Sequence, residues 1–163
     1  MLVSAVAVAI DFLTKQAAVT LLEGEPPVSV IGSLLRLWVG RNPGAAFSLG
    51  AEGSTLVFTI IAIAAIAALV IWMPRIIASV DSRLMVPTVA LAMAGAAGNL
   101  IDRLVRAPGF GHGHVVDFIA LPNFPIFNVS DVCITAAAAL YILANFGVGR
   151  AAGKTPTSGG ASE

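Results

Sequence analysis

Three aspartates, Asp102, Asp117 and Asp131, lie among apolar residues in the second half of the chain. A carboxylate at membrane depth costs roughly 2.5–3.5 kcal/mol, so a membrane protein retains one only where it faces a cavity or a partner. Two carboxylates held close together cannot both ionise cheaply, and they share a proton. One then serves as general base and the other as general acid, which activates water against an amide bond without a metal. If the helices near them adjoin, Asp117 and Asp131 can form this pair.

An asparagine stands three residues before two of these acids, in Asn99…Asp102 and Asn128…Asp131. This spacing predicts an amide donor beside each carboxylate. Asn99, Asp102 and Arg103 fall at positions i, i+3 and i+4 of one helix face, so we expect Asp102 to accept from Arg103 or from a neighbouring loop. For Asp102 alone, a satisfied polar contact between helices explains the pattern as well as a functional role does.

Two further polar segments have less specific patterns. Asn42 precedes Pro43 and can hydrogen-bond a substrate backbone, although a turn-forming asparagine is the commoner explanation of that pair. His112, His114 and Asp117 form a His-x-His-x-x-Asp spacing, but glycines flank both histidines and no third strong ligand is fixed on a helix. We therefore expect no metal and no other cofactor, and a metalloprotease is the weaker alternative.

The composition indicates the environment of these residues. Hydrophobic residues make up 58% of the 163 residues and charged residues only 11%, against roughly 25% charged in a soluble domain. The mean hydropathy is +0.93, which is typical of an integral membrane protein. The formal net charge is zero, so there is no electrostatic case for nucleic acid. The single cysteine, Cys133, excludes an internal disulfide and a cysteine-built metal site.

Four hydrophobic segments predict transmembrane helices, at about residues 1–22, 55–73, 84–104 and 129–148. Thr55–Met73 has no charged residue and can cross a hydrocarbon core of about 30 Å, and Pro74 is expected to end it. In the first segment Asp11 and Lys15 are four residues apart and can pair along one helix face. A signal peptide is the competing interpretation, but charge lies where an apolar core belongs, so we favour a retained helix.

Residues 23–54 contain turn residues and two β-like runs, Val28–Ile31 and Leu34–Val39, which predict a small β-rich element on the membrane surface. Arg106–Phe127 is expected to be a loop, and the tail 149–163 to be disordered. The predicted fold is an all-α membrane protein of four transmembrane helices, with the β-rich element between helices 1 and 2. Residues 1–148 form its single domain.

Four membrane crossings place both termini on one side. Counting Lys and Arg in the loops does not decide which side this is. If Arg41 and Arg103 are held by the chemistry of a site, the remaining charges favour termini in the cytoplasm and an extracytoplasmic β-rich element.

Five motifs occur in order along the chain: Asp11…Lys15, Arg41-Asn42-x-Gly-Ala-Ala-Phe, Gly98-Asn99-x-x-Asp102-Arg103, Val115-Val116-Asp117-Phe118 and Phe127-Asn128-x-x-Asp131. In this set the chain closely resembles the lipoprotein signal peptidases, or signal peptidase II, over essentially residues 11–145. The resemblance implies an aspartyl protease of the bacterial inner membrane that cuts prolipoproteins just before the diacylglyceryl-modified cysteine. It implies a monomer whose site faces the extracytoplasmic side and whose partners are the lipid-modified precursor and membrane lipid.

The resemblance assigns the catalytic pair to Asp117 and Asp131. Seven other residues then bind substrate or support the site: Asn42, Asn99, Asp102, Arg103, Asn128, Asp11 and Lys15. A catalytic role for Asp102 is the main rival within this family. The sequence departs from the family pattern at Ser130, where alanine is usual, and the interval between Asp117 and Asp131 is shorter than in many relatives.

A proton-coupled transporter is the alternative from a different functional class, because carboxylates within a membrane also form proton pathways. Carriers usually contain duplicated halves, and the four hydrophobic segments show no internal repeat. The absence of a repeat favours the peptidase.

Overall fold

The structure is a computed structural model that describes residues 2–44, 53–79 and 83–146. Within these ranges the chain forms helices α1 (Leu2–Leu22), α2 (Gly53–Ser79), α3 (Met85–Val105) and α4 (Val129–Phe146), and strands β1 (Val28–Ile31), β2 (Leu35–Asn42) and β3 (Val115–Ala120). Three predicted features lie outside the described residues: positions 45–47 of the Arg41-Asn42 motif, the end of the fourth helix at 147–148, and the tail 149–163.

The four predicted hydrophobic segments are all helical. Among the described residues, α1, α2 and α3 are long and apolar enough to cross a membrane, whereas the apolar part of α4 spans Val129–Asn145 and is shorter. The outward faces of these helices are apolar, and α1 buries its charged residues, Asp11 and Lys15, instead. That distribution suits a protein whose solvent is lipid. Four membrane crossings remain a prediction.

The predicted end of the second helix was wrong. α2 contains Pro74 and continues to Ser79. Proline removes one backbone hydrogen bond, but ending a helix in an apolar environment leaves several carbonyl groups without partners. Continuing through Pro74 is therefore less costly than stopping there.

Helix α3 lies at the centre and packs against each of the other three helices. Its contact with α4 is close because two glycines face it. A Cβ on Gly95 would lie 2.5 Å from Ser130 O, and one on Gly98 would lie 2.1 Å from Ser130 Oγ. The start of α4 is thereby held against the second half of α3.

The strands form one antiparallel sheet in the order β1-β2-β3. The two predicted β-like runs correspond to β1 and β2, but β3 was missed, because its residues were assigned to the loop after α3. A single short apolar run has no local partner, and β3 becomes a strand only by pairing with β2. In that pairing Gly40 lies opposite Asp117, and Asn42 lies opposite Val115.

Candidate active site

Asp117 lies in the buried strand β3 and receives two amide hydrogen bonds. Asn42 is a diagonal neighbour on the adjacent strand, and its Nδ2 donates to Asp117 Oδ2 at 2.9 Å. Asn128 Nδ2 donates to Asp117 Oδ1 at 2.6 Å. Burial raises the pKa of the Asp117 carboxyl to about 6, and the charge of Asp131 acts in the same direction. The two hydrogen bonds and the charge of Lys15 lower that pKa but do not offset burial.

Asp131 lies in the first turn of α4, where Asn128 caps the helix. Asn128 N donates to Asp131 Oδ2 at 3.2 Å, and Asp131 N donates to Asn128 Oδ1 at 3.0 Å. This reciprocal pair is a capping box, and the positive end of the helix dipole favours a carboxylate there. Asp131 is half-buried, in contrast to Asp117. The structure therefore joins the two predicted acids through one asparagine.

The amide predicted to sit beside Asp102 lies beside Asp131 instead. Asn99 Nδ2 donates to Asp131 Oδ1 at 2.9 Å, and Asn99 Oδ1 accepts from Asn128 Nδ2 at 3.2 Å. Local spacing identified Asn99 and Asp102 as neighbours on one helix, but charged groups occupy the Asp102 carboxylate. The amide of Asn99 is left to bond across the helix interface.

Of the two partners predicted for Asp102, Arg103 and a neighbouring loop, Arg103 does not pair with it. Its Oδ2 lies 3.0 Å from Lys15 Nζ and accepts from Val116 N at 3.1 Å, while Arg106 Nε pairs with Oδ1. Consecutive residues on a helix do not face each other, whereas Arg106 is four residues further along. Arg106 was not among the predicted site residues, although this i, i+4 spacing pairs it with Asp102. The predicted contact with a neighbouring loop corresponds to the bond from Val116 in β3.

Lys15 is completely buried and contacts three acceptors. Its Nζ lies 2.8 Å from Asp11 Oδ2, 3.0 Å from Asp102 Oδ2 and 2.9 Å from Asn99 Oδ1. The predicted pairing of Asp11 with Lys15 is confirmed. Asp11 Oδ1 also accepts from Ser130 N at 2.8 Å, which ties α1 to the start of α4.

Arg103 is buried beside the acids. Its guanidinium lies over the Phe58 ring, 5.9 Å from the centroid, and Nη1 donates to Asn99 O at 3.4 Å. The charges of Asp117 and Asp131 both act on Arg103, which places it in the same electrostatic environment. Phe58 was not identified from the sequence, because an aromatic residue in a hydrophobic helix has no distinguishing pattern.

Arg41 lies outside this cluster. Its Nε and Nη2 donate to Glu23 Oε1 and Oε2 at 2.7 and 2.9 Å, and this hydrogen bonding lowers the pKa of Glu23. Both side chains are exposed, and the pair joins β2 to the end of α1. Arg41 is therefore held by Glu23, and the prediction that site chemistry holds it is wrong.

Among residues 2–44, 53–79 and 83–146, no group of three or more His, Cys, Asp or Glu side chains could hold a metal ion. His112 is exposed on the loop after α3 and His114 is half-buried.

The sequence and fold of the chain are similar to those of known proteins. The family model described as signal peptidase (SPase) II matches residues 3–147. A lipoprotein signal peptidase of Rhodococcus jostii is 41% identical over 141 residues, which are 86% of this chain and 69% of that protein. One from Leifsonia xyli is 40% identical over 82% of this chain and 60% of its own length. One from Mycobacterium tuberculosis strain H37Rv is 41% identical over 86% of this chain and 67% of its own length.

Two solved structures, both described as bacterial membrane enzymes, share the fold. One has a TM-score of 0.71 and 31% identity, and covers 88% of this chain and 84% of its own. The other has a TM-score of 0.73 and 32% identity, and covers 88% and 89%. The comparisons give no support to the transporter alternative. Since the family model matches nearly the whole chain, this protein belongs to the signal peptidase II family.

Proposed function

We propose that this protein is an aspartic endopeptidase that removes the signal peptide from diacylglyceryl-modified prolipoproteins by cleaving before the lipid-modified cysteine. Membership of the family supports prolipoprotein processing. The observation that carries the aspartic mechanism is the joining of Asp117 and Asp131 through the buried Asn128. We call these two acids the dyad.

The two acids have different environments, which suggests different roles. Asp131 accepts hydrogen bonds from Asn99 and Asn128 at a helix N-terminus, and these favour its ionised form. Asp117 is buried, with a pKa of about 6, and a substrate that excludes water strengthens this effect. Asp131 is therefore the base and Asp117 the acid in the first step.

The reaction proceeds in two steps. Asp131 takes a proton from water as the oxygen bonds to the scissile carbonyl carbon, and Asp117 gives its proton to the carbonyl oxygen. The carbon–nitrogen bond of the resulting diol then breaks. The leaving amine takes the proton held by Asp131, and Asp117 recovers a proton from a diol hydroxyl. Each acid returns to its starting state.

The proposed setting is the bacterial cytoplasmic membrane, with four crossings, both termini in the cytoplasm, and a monomeric enzyme. Asn99 and Asp102 near the end of α3 and Asp131 at the start of α4 lie at one end of the bundle. The sheet and the dyad are at that same end, which we assign to the extracytoplasmic side. An acylated cysteine can reach this position laterally from the lipid.

The test uses the purified protein and a lipidated precursor. Asp117→Asn and Asp131→Asn should each lower kcat by at least about 100-fold, the usual scale of acid–base catalysis. Glu25→Gln, at an exposed loop carboxyl, is the matched control and should leave kcat unchanged. Substantial cleavage by either Asp→Asn variant would refute the dyad assignment, and no cleavage by the native protein would refute the substrate.

A further inference from the structure

Among the described residues, hydrogen bonds link Lys15 to Asp131 through Asn99. It belongs to α1, whereas its acceptors Asp102 and Asn99 belong to α3. Within the described part of the chain, its charge lies in a cluster with Asp11, Asp102 and Arg106, whose formal charges sum to zero with it. The two carboxylates take two of the three N–H donors of the buried ammonium, and Asn99 Oδ1 takes the third, so the same contact that satisfies Lys15 also fixes the Asn99 amide.

The contact determines which end of the Asn99 amide faces Asp131. An ammonium group only donates, so the atom of Asn99 that faces Lys15 must be the oxygen. Asn128 Nδ2 donates to the same oxygen. Asn128 cannot reverse its own amide cheaply, because its Oδ1 accepts from the Asp131 backbone N–H. With the oxygen held by two donors, Asn99 Nδ2 must point to Asp131.

The reversed amide would have a definite chemical consequence. It would set an amide oxygen against Asp131 Oδ1, and two acceptors in contact are tolerable only if a proton lies between them. Asp131 would then be neutral. If Asp117 holds its own proton, as in the proposed first step, a neutral Asp131 leaves the dyad with no base to receive a proton from water.

We propose that Lys15 is a positioning residue whose ammonium locks the Asn99 amide with its N–H toward Asp131 and so keeps Asp131 available as the base. This inference rests on the proposed function, because it assigns a step of that reaction. Among the described residues, Lys15 bonds to Asp11, Asp102 and Asn99 and not to the two acids of the dyad. It acts by fixing the orientation of one hydrogen-bond donor.

Several charged groups surround Lys15 and Asp131, so a variant that removes Lys15 must also keep the local charge balanced. Arg103 on α3 and Asp117 on β3 interact electrostatically with Asp131, and Lys15 on α1 acts on Asp117. Removing Lys15 alone would leave two carboxylates with Arg106 only. The double variant Lys15→Met with Asp11→Asn removes the ammonium and keeps the cluster neutral.

Three comparison variants separate orientation from charge and packing. Lys15→Arg keeps a group that only donates. Gln16→Met changes the exposed neighbour on α1 and should leave kcat unchanged. Asn99→Asp has nearly the same shape as asparagine and can still accept from Lys15, but it presents an oxygen to Asp131, so it imitates the reversed amide in a protein that keeps the Lys15 contact.

The experiment measures kcat, KM and thermal stability on the lipidated precursor over a range of pH. We expect the double variant and Asn99→Asp to lose at least about 100-fold in kcat with KM changed less than about threefold. The acid limb of kcat should move to higher pH, because Asp131 then lacks the N–H that its carboxylate accepts from Asn99 in the native protein. Lys15→Arg should keep kcat within about tenfold and leave the acid limb in place. Arginine also only donates, so it holds the Asn99 amide in the same orientation.

If Asn99→Asp or a folded double variant retains native kcat and only melts earlier, Lys15 has a structural role and the proposal fails. If the double variant does not fold, Asn99→Asp and Lys15→Arg decide together: lost kcat in Asn99→Asp with kcat kept in Lys15→Arg supports the proposal, and any other pattern overturns it. If the native protein cleaves no lipidated precursor, infrared spectra still decide: at neutral pH Asn99→Asp should gain a protonated-carboxyl band that is absent when Asp131→Asn is added. No such band would overturn the proposal independently of the substrate.

Discussion

Asn128 uses all of its hydrogen-bonding groups. Its backbone N–H donates to Asp131, its Oδ1 accepts from Asp131 N, and its Nδ2 donates to Asp117 and Asn99. Its carbonyl accepts from Val132 N at 3.2 Å as the helix begins. A completely buried amide with no spare donor or acceptor has one orientation. The positions of the two acids relative to each other are therefore set by a residue that does no chemistry.

The protonation of Asp117 predicts a pH-dependent difference between the native protein and Asp117→Asn. Its pKa rises from 3.8 in the unfolded chain to about 6 in the fold, so the native state binds the proton more tightly. Native stability therefore increases as pH falls through this window, and asparagine removes that gain. The stability of the variant relative to the native protein should fall by about 2–3 kcal/mol between neutral pH and about pH 4.

Thermal unfolding in detergent at several pH values measures this difference. The Asp117→Asn variant also leaves an amide N–H facing one of two donors, which lowers its stability equally at every pH. Only the pH-dependent part tests the raised pKa. A constant difference between the two unfolding temperatures across the window would show that Asp117 titrates as an ordinary carboxyl.

Replacing Ser130 with alanine should stabilise the folded protein. Its hydroxyl is buried and, within the described part of the chain, its Oγ has no hydrogen-bond partner, while its backbone N–H bonds to Asp11. Ser130→Ala removes the unpaired hydroxyl and keeps the backbone bond, so it should raise unfolding stability by about 1 kcal/mol. Thermal unfolding checks this, and kcat should not change. A loss of stability would mean that the hydroxyl has a partner in the folded protein.

At the scale of elements, the loop between β3 and α4 holds the dyad on one short connection. Phe118 N and Ile119 N donate to Phe127 O, and Phe127 N donates back to Ile119 O. These bonds close the loop directly beside Asp117 and just before Asn128. The short interval between the two acids is therefore a hydrogen-bonded turn from strand to helix.

The close approach of α3 and α4 predicts the effect of one added methyl group. A Cβ at Gly98 would lie 2.1 Å from Ser130 Oγ and 2.6 Å from Asp11 Oδ2. Gly98→Ala should therefore cost about 1–3 kcal/mol of unfolding stability and displace the start of α4, with a loss of activity. Gly109→Ala, whose Cβ would meet nothing within 4 Å, is the matched control.

Combining Gly98→Ala with Ser130→Ala removes the nearest contact and should restore part of both stability and activity. Thermal unfolding and kcat on the same preparations measure the recovery. Native behaviour of Gly98→Ala alone would show that the two helices are less tightly packed than the glycine contacts indicate.

At the scale of the whole molecule, charge is concentrated inside and apolar surface outside. Asp11, Lys15, Asp102 and Asp117 are buried, while α1 and α2 expose many large aliphatic side chains. A site at one end of such a bundle, reached through lipid, favours substrates that are themselves anchored in the membrane. Each buried methylene contributes about 0.8 kcal/mol, enough for two acyl chains to recruit a peptide with few specific contacts.

Cleavage should therefore require the diacylglyceryl group. With matched precursors that differ only in lipidation, kcat/KM for the unlipidated form should be at least about 100-fold lower. A 100-fold change corresponds to about 2.7 kcal/mol, which burial of only about four methylenes can supply. Asp131→Asn serves as the inactive reference for both precursors. Equal turnover of the two forms would show that lipid does not select the substrate.

Several properties followed from the sequence because they depend on composition or on residues close together in one element. Membrane residence follows from overall hydrophobicity, the Asp11–Lys15 pair from an i, i+4 spacing, and the start of α4 from the apolar run that begins at Val129. The five ordered motifs identified the family. Helical periodicity and helix capping act locally, so a single chain displays them without its fold.

Only the tertiary structure decided which polar groups meet across elements. Asp102 could bond to several groups, and the packing of α1 against α3 gave it Lys15 and not Arg103. The amide of Asn99 then turned to Asp131, and β3 formed because β2 was beside it. Buried charges select their partners by competition among everything within reach. What is within reach depends on helix packing and strand pairing, which residue spacing alone does not specify.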